Sequence, residues 1–318
     1  MHKTAFICDP RFADHDTGPA HPERRERITA IRNAVEGSPL TNTLITPHYE
    51  PIDPDLIRVI HPGSYVDDMR QVCEQGVPYF MDPECAVCPE SYNIALLAAG
   101  AVLGAVDAVM SGEIDNGFCA VRPPGHHAEA NRAMGFCFFN NIAVAARYLQ
   151  QHHSVERIGI LDYDVHHGNG TQHSFDADPT VLFCSMHEHP RFLYPGTGYT
   201  TERGTGPGKG TTRNIPMMPG ASNRDYEQAF VEWVEPFFQE LKPQFLLVDV
   251  GFDAHRADPL AHIDLTDDGY EMLARRSVRL ADQLCNGRLV SMLEGGYDLP
   301  AVGRCTVRHL SALQGKNP

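Results

Sequence analysis

The 318-residue sequence has too little positive charge for a nucleic-acid-binding surface. Lys and Arg total 26 against 41 Asp and Glu, the formal net charge is −15, and no basic run interrupts the acid excess. Proteins that bind polyphosphate or anionic membrane surfaces need clustered cations. We therefore expect no nucleic-acid partner and no membrane partner, whereas a cationic substrate would be tolerated.

The sequence also lacks an uninterrupted apolar run of about 18 residues, the length that a spanning helix needs, and we expect no targeting segment. The N-terminal MHKTAFICDPRF has no long apolar core. Nine cysteines are scattered along the chain, and four of them lie in strand-like apolar runs, where cysteine is a small hydrophobe: Cys8, Cys119, Cys137 and Cys184. The single CxxC pair at 85–88 has no second pair to complete a structural zinc site. These features predict a reducing, cytoplasmic setting.

Short apolar runs alternate with helical patterns along the chain. The strands are predicted at 4–8, 117–121, 157–164, 181–187, 245–252 and 289–294, and the helices at 22–37, 91–111, 140–152, 223–241 and 267–285. Ser222 and Thr266 are expected to cap the last two helices. The Gly- and Pro-rich stretch 195–220 reads as one long loop. The pattern predicts an α/β fold, a single domain over 1–318 with a parallel sheet sandwiched by helices.

Ionisable side chains follow five of the predicted strands. They lie in the segments 122–127, 162–167, 187–189, 253–255 and 294–297. Ligands of open α/β sheets bind outside the carboxyl ends of the strands, which meet at one edge. The sequence therefore predicts an active site at this edge.

Two carboxylates and an imidazole in these segments are candidate metal ligands. Because side chains alternate along a strand, Asp162, Asp164 and His166 are expected to share one face. Asp164 and His166 can then hold one ion from a single element, and Asp253 supplies a third ligand. This donor set suits Zn²⁺ with an open position and would also accept Fe²⁺ or Co²⁺. The alternative is an Asp–His hydrogen-bonded network without a metal.

Seven motifs, in order along nearly the whole chain, resemble the zinc-dependent histone deacetylase and acetylpolyamine amidohydrolase superfamily, in particular its class II-like bacterial members. They are HPERRERI (21–28), RPPGHHA (122–128), GFCFFNN (135–141), DYDVHHGNGTQ (162–172), YPGTG (194–198), GFDAHRADPL (251–260) and EGGYDL (294–299). The resemblance implies the arginase/deacetylase fold, one zinc ion per chain, a structural K⁺ or Na⁺, and hydrolysis of acyl amides.

The resemblance also implies roles for individual residues. The zinc ligands would be Asp164, His166 and Asp253. The catalytic set would be His126, His127, Tyr297, Asp162 and Asn169, with His127 as proton carrier, His126 as its electrostatic partner and Tyr297 as hydrogen-bond donor to the substrate carbonyl. The monovalent cation would contact Asp162, Asp164, His166, Ser185 and Met186. The substrate channel would be lined by Gly135, Phe136, Tyr194 and Leu260, and Arg27 matches an arginine of an internal cavity behind the metal.

Several positions depart from the family pattern. Asn169 stands where class I members carry an Asp that orients the second histidine, so the surroundings of His127 are expected to be less negative. Tyr194 replaces a frequent Phe and adds a hydroxyl to the channel mouth. Arg25 interrupts the common Pro of the first motif. Leu260 lies where polyamine-specific animal relatives place a Glu, which weakens a polyamine interpretation.

The sequence favours hydrolysis of acetyl-lysine in proteins or peptides, and leaves alternatives open. One is deacetylation of acetylpolyamines or other small acetylated amines. Another is a bimetallic, arginase-like ureohydrolase, and a third is a non-catalytic module that binds acyl-lysine. The segments 77–90 and 195–220 are expected to shape the channel mouth or a subunit contact of a homo-oligomer. Asp82 or Glu84 could hold the backbone or the cationic end of a substrate, but both are interpreted as exposed loop acids.

Overall fold

The computed structural model describes residues 2–315, in which seven strands form one parallel sheet. The strands are β1 (Thr4–Ile7), β2 (Asn116–Cys119), β3 (Ile158–Asp162), β4 (Val181–Glu188), β5 (Thr212–Met217), β6 (Phe245–Val250) and β7 (Leu289–Leu293). Their spatial order is β1-β2-β7-β6-β3-β4-β5. β3 and β6 are therefore neighbours in the interior of the sheet, and Asp162 pairs in register with Asp249.

Within residues 2–315, ten α-helices connect and cover the strands. They are α1 (Glu26–Glu36), α2 (Pro54–Ile57), α3 (Gly63–Glu74), α4 (Ser91–Ser111), α5 (Asn141–His153), α6 (Asn169–Phe175), α7 (Asn223–Ala229), α8 (Glu235–Leu241), α9 (Asp267–Leu284) and α10 (Leu299–Leu313). Separate hydrophobic clusters contain side chains from these helices and from the strands. This arrangement confirms the predicted parallel sheet between helices.

The helix α4 is long and apolar enough to span a membrane, although no uninterrupted apolar run of this length was predicted from the sequence. Most of this helix is buried inside the protein. It contacts α5 and β2, and its alanine-rich surface contributes to the core. The apolar character of α4 is therefore explained by its position as a core helix.

The predicted loop 195–220 is wrong in part, because β5 lies within it. β5 is an edge strand, and it carries Pro216, which lacks an N–H group and is tolerated at a sheet edge. The helix predicted over 223–241 contains a π-helical turn, Phe230–Val234, between α7 and α8. Pro236 follows this turn, and a proline cannot donate the hydrogen bond that would continue an α-helix.

The two predicted helix caps have different outcomes. Ser222 precedes α7, and its backbone N–H donates to Asp225 Oδ2 at 2.8 Å. Thr266 precedes α9 but its side chain makes no capping hydrogen bond. Its hydroxyl instead accepts from Asn223 Nδ2 at 2.8 Å. The position of Thr266 was predicted correctly and its capping contact was not.

Candidate active site and metal centre

Asp164, His166 and Asp253 converge into one buried group of metal-binding type. Their ligand atoms lie within 4.8 Å of one another, and His166 Nδ1 is 3.1 Å from both Asp164 Oδ1 and Asp253 Oδ2. β3 ends at Asp162, so Asp164 and His166 occupy the following loop rather than one face of a strand. The loop brings them together because Asp164 Oδ1 accepts the backbone N–H of His166 at 2.8 Å.

The neighbouring backbone leaves little room around these carboxylates. The N–H of Gly295 donates to Asp164 Oδ2 at 2.7 Å, and a Cβ atom at Gly295 would overlap Asp253 Oδ2. Asp253 Oδ1 accepts from the N–H of Val165 at 3.0 Å. The loops after β3, β6 and β7 are thereby joined through the same two carboxylates, which fixes the geometry of the donor set.

The paired histidines lie beside this group and have different partners. The ring centroids of His126 and His127 are 4.0 Å apart. His126 Nδ1 is 3.1 Å from Asp162 Oδ2, and His127 Nδ1 is 2.7 Å from Asn169 Oδ1. Burial lowers the pKa of both rings, but the nearby carboxylates Asp164 and Asp162 outweigh it at His126 and raise the pKa to about 10. Burial and the adjacent His126 charge hold the pKa of His127 well below its usual range.

A cavity of about 250 Å³ opens onto His127, His166 and Tyr297. The remaining lining residues are Glu84, Gly135, Phe136, Leu193, Tyr194 and Leu260. The structure thus places all four predicted channel residues around one cavity. Glu84 joins them from the segment 77–90, which was expected to shape the channel mouth, whereas Leu193 had no predicted role. Aromatic rings form much of the cavity wall. The ring centroids of Phe136 and Tyr297 are 5.9 Å apart, and those of Tyr194 and His127 are 5.1 Å apart.

Residue 135 must be a glycine for this cavity to form. Its φ is +56°, and a Cβ atom there would overlap the ring of His127. Phe136 also has a positive φ, of 67°, which is a strained conformation for a residue with a large side chain. Such strain is typical of segments that a site holds in place.

Glu84 is part of the cavity wall rather than a free loop acid. Its Oε1 accepts from the backbone N–H of Gly135 at 2.7 Å and from the Tyr194 hydroxyl at 3.1 Å. The expectation of an exposed acid is therefore wrong for Glu84. The contacts join segments about 50 and 110 positions apart, which no local pattern reveals.

Tyr297 is held through its backbone and its ring. Asp258 Oδ2 accepts the N–H of Tyr297 at 2.6 Å, and the Arg27 guanidinium lies 5.2 Å from the ring centroid. Arg27 also donates to the carbonyl oxygens of Gly296, at 2.7 Å, and Glu294, at 2.6 Å. The buried Arg27 side chain thus holds the turn before Tyr297 through hydrogen bonds. Its assignment to an internal cavity stays a prediction.

A further buried acid pair lies behind His126. Glu294 Oε2 accepts from the backbone N–H groups of Gly125, at 2.8 Å, and His126, at 3.1 Å. Burial and the neighbouring Glu294 raise the pKa of Asp249 well above its usual value. Neither acid belongs to the site residues predicted from the sequence.

The residues predicted for a monovalent cation lie at the end of β3, in the loop that follows it and within β4. Asp162 pairs in register with Ser185, and Met186 is buried next to it. Ser185 Oγ is 2.7 Å from His187 Nδ1. The sheet brings these residues together, and the ion itself stays a prediction.

Among the described residues, all nine cysteines are unpaired. Cys85 and Cys88 belong to no group of metal-binding side chains in residues 2–315.

A separate cluster of His255, Asp267 and Cys305 has the spacing of a metal site. However, Arg304 already forms an ion pair with Asp267 at 2.8 Å. His255 Nδ1 accepts the backbone N–H of Ala257, so the ring proton lies on Nε2 and points at Asp267. We therefore interpret this cluster as a set of hydrogen-bonded side chains and not as a metal site.

Comparisons with known proteins agree with this geometry. A family model described as "Histone deacetylase domain" matches residues 21–313. The chain is 40% identical to a "Probable deacetylase" of Archaeoglobus fulgidus, over 93% of this chain and 82% of the relative. It is 36% identical to a "Histone deacetylase-like amidohydrolase" of Pseudomonas aeruginosa, over 98% and 87%. A solved structure described as "Crystal Structure of HDA15 HD domain" superposes with a TM-score of 0.93 at 33% identity, over 99% of this chain and 90% of that one. The chain belongs to the histone deacetylase family of hydrolases.

Proposed function

We propose that this protein is a zinc-dependent deacetylase that hydrolyses the N-acetyl amide of acetyl-lysine side chains in proteins or peptides and releases acetate. The observation that carries the proposal is the meeting of three groups at one narrow cavity. These are the metal-binding set around His166, the histidine His127 and the tyrosine Tyr297. A non-catalytic binding module would have no need to retain all three.

The residues present fit a divalent transition metal. Asp164 and Asp253 place two carboxylates within hydrogen-bond distance of one imidazole nitrogen, all of them buried. Such burial is costly unless a cation balances the charge. Two oxygens and one nitrogen suit zinc with an open position, and Fe²⁺ or Co²⁺ would also fit. When bound, the ion would polarise the acyl carbonyl and lower the pKa of a coordinated water.

His127 is the proposed proton carrier. Its Nδ1 is engaged by Asn169 Oδ1, so Nε2 is free to take a proton from the attacking water and to pass it to the leaving amine. His126 is engaged by Asp162 and is proposed to remain the charged partner that stabilises the reacting centre. The different hydrogen-bond partners of the two rings support this division.

Tyr297 is proposed to donate a hydrogen bond from its hydroxyl to the developing oxyanion. Its backbone is fixed by Asp258 and its ring by Phe136 and Arg27. Phe136 and Tyr194 would grip the aliphatic chain of the acylated amine. A preformed aromatic wall of this kind orients a linear substrate with little loss of side-chain entropy.

A second candidate substrate class is favoured by Glu84. It is an acidic side chain on the cavity wall, and its Oε1 is already occupied by Gly135 and Tyr194. Its second oxygen could accept from an ammonium group of a small acetylated polyamine. Leu260, which lines the same cavity, supplies no such contact.

We further propose the structural K⁺ or Na⁺ beside Asp162 and Ser185, where a cation would balance buried carboxylate charge. A cytoplasmic location and a homo-oligomer stay predictions of the sequence.

The decisive experiment is a comparison of substrates with the purified protein. Acetate release is measured from an acetyl-lysine peptide, acetylspermidine and acetylputrescine, with metal content determined by mass spectrometry. We expect about one zinc per chain, the highest kcat/KM with the peptide, and loss of activity on chelation that zinc restores. Activity that survives complete metal removal would contradict the proposal, and a preference for the amines would favour the second candidate.

A further inference from the structure

Four side chains form a continuous hydrogen-bonded path from the active site towards the surface. His127 Nδ1 is 2.7 Å from Asn169 Oδ1, and Asn169 Nδ2 donates to Glu129 Oε1 at 2.5 Å. Glu129 in turn accepts from His173 Nδ1 through both oxygens, at 2.8 and 3.0 Å. The Glu129 side chain is 21% exposed and that of His173 is 46% exposed.

The carboxylate determines which end of the Asn169 amide faces the histidine. An ionised carboxylate only accepts hydrogen bonds, so Glu129 must face the amide nitrogen. The amide oxygen therefore faces His127 Nδ1, which must carry the ring proton. With the proton on Nδ1, the Nε2 atom is a free acceptor.

The opposite amide orientation would disable the base. If Asn169 turned its nitrogen towards His127, Nδ1 would have to accept and the proton would move to Nε2. An Asn that imposes the wrong tautomer on the histidine of a serine-protease triad lowers turnover by about 10⁴. Asn169 Nδ2 also donates to the backbone carbonyl oxygen of His127, but at 3.4 Å, so the contact with Glu129 at 2.5 Å is the shorter one and the only one to a charged group.

We propose that Glu129 is a positioning residue that sets the tautomer of His127 through the Asn169 amide. The inference rests on the proposed hydrolysis, in which His127 is the proton carrier. Class I members are expected to place a negative charge directly beside the second histidine. Here Asn169 occupies that position, and the negative charge lies one side chain further out, on Glu129. His173 holds the Glu129 carboxylate in the orientation that Asn169 needs.

Single substitutions give the first test. Glu129→Ala removes the acceptor, and we expect kcat/KM to fall about 10–100-fold, as is typical when an outer partner of a site residue is lost. Glu129→Gln keeps an oxygen that can accept from Asn169, so most activity should remain. A matched control is Glu232→Ala, because Glu232 accepts from the Gln228 side-chain amide at 2.8 Å on the exposed face of a helix. We expect no change in turnover for this control.

A double-substitution cycle separates positioning from a structural role. In an Asn169→Asp protein, residue 169 needs no amide orientation, and its new carboxylate faces that of Glu129. Glu129→Gln then supplies an amide donor to it. The same Glu129→Gln change should therefore lower kcat/KM slightly in the natural background and raise it in the Asn169→Asp background. If it changed activity in the same direction in both backgrounds, the proposal would be overturned.

The tautomer can also be observed without turnover. Two-dimensional ¹H–¹⁵N spectra of the zinc-loaded protein, with His127 assigned through His127→Gln, distinguish a protonated Nδ1 from a protonated Nε2. We expect Nδ1–H in the natural protein and a mixture in Glu129→Ala. An unchanged Nδ1–H signal in Glu129→Ala overturns the inference even if hydrolysis is normal. A natural protein that hydrolyses none of the substrates but shows the expected shift would instead contradict only the proposed function.

Discussion

The Oδ2 atom of Asp258 accepts the backbone N–H of Tyr297 at 2.6 Å, and its Oδ1 atom accepts the N–H of Leu260 at 3.0 Å. One carboxylate therefore connects the loop after β6 with the loop after β7. The first loop carries the metal-ligand candidate Asp253, and the second carries Tyr297. Asp258 thus sets the distance between the donor set and the proposed oxyanion donor.

Asp258→Ala should lower kcat about tenfold, because both backbone N–H groups lose their acceptor and Tyr297 is no longer held. Steady-state kinetics with an acetyl-lysine peptide would measure the effect. In a Tyr297→Phe background the same substitution should cost much less, since the group that it positions is gone. Equal losses in the two backgrounds would show that Asp258 does not act through Tyr297.

Tyr297→Phe should fold normally and lower kcat about 10²–10³-fold, which is the usual cost of one oxyanion donor. The KM should change far less, because the hydroxyl contact strengthens in the transition state. Kinetics and circular dichroism of the variant and the natural protein would test this. Retention of most activity would remove Tyr297 from the proposed mechanism.

The sequence predicted the parts of the site that depend on local order along the chain. A buried strand followed by acids and imidazoles indicates the carboxyl end of a parallel strand, and parallel strands share that edge. Asp164, His166 and Asp253 are therefore found together as predicted. The bounds of β3 were too long, however, and the pairing of Asp164 with His166 comes from a loop hydrogen bond.

Contacts between distant segments were not predictable in this way. The carboxylates of Glu84, Glu129 and Asp258 reach backbone or side-chain donors on other loops, and hydropathy patterns carry no information on such pairs. The strand β5 was missed because Gly and Pro surround it. The helix α10 was missed as well; its Gly303 lies close to Ala30 and Ala34 of α1, so packing against α1 compensates for a poor helix former.

Glu84→Gln should reduce kcat/KM for acetylputrescine and acetylspermidine more than for a peptide without nearby charge. The substitution keeps an oxygen for Gly135 and Tyr194 but removes the anion that an ammonium group would contact. The control is Glu90→Gln, an exposed acid of the same segment. An equal change for all substrates would mean that Glu84 only supports the wall of the cavity.

Asp253→Asn should lower zinc retention, because an amide oxygen is a much weaker ligand than a carboxylate. Zinc per chain, measured by mass spectrometry after dialysis against a mild chelator, should fall well below that of the natural protein. Asp264→Asn is the control, since Asp264 lies on the surface and pairs with Arg256. Full zinc retention by the Asp253 variant would exclude this residue from the donor set.

His309 should make the protein less stable in acid. Burial lowers its pKa from 6.5 to about 3, and its ring lies between Ser291, at 2.9 Å from Nε2, and the aromatic ring of Phe118. The unfolded chain binds the proton of this imidazole more readily than the folded chain does. The contribution of neutral His309 to the free energy of unfolding is therefore complete above pH 6.5 and is lost as the pH falls towards 3. A single proton corresponds to a slope of about 1.4 kcal/mol per pH unit. His309→Gln should therefore show a shallower dependence of the free energy of unfolding on pH between 6 and 4.5, by up to this amount, in urea denaturation at equal metal content. Parallel slopes for the two proteins would mean that His309 takes up its proton without unfolding.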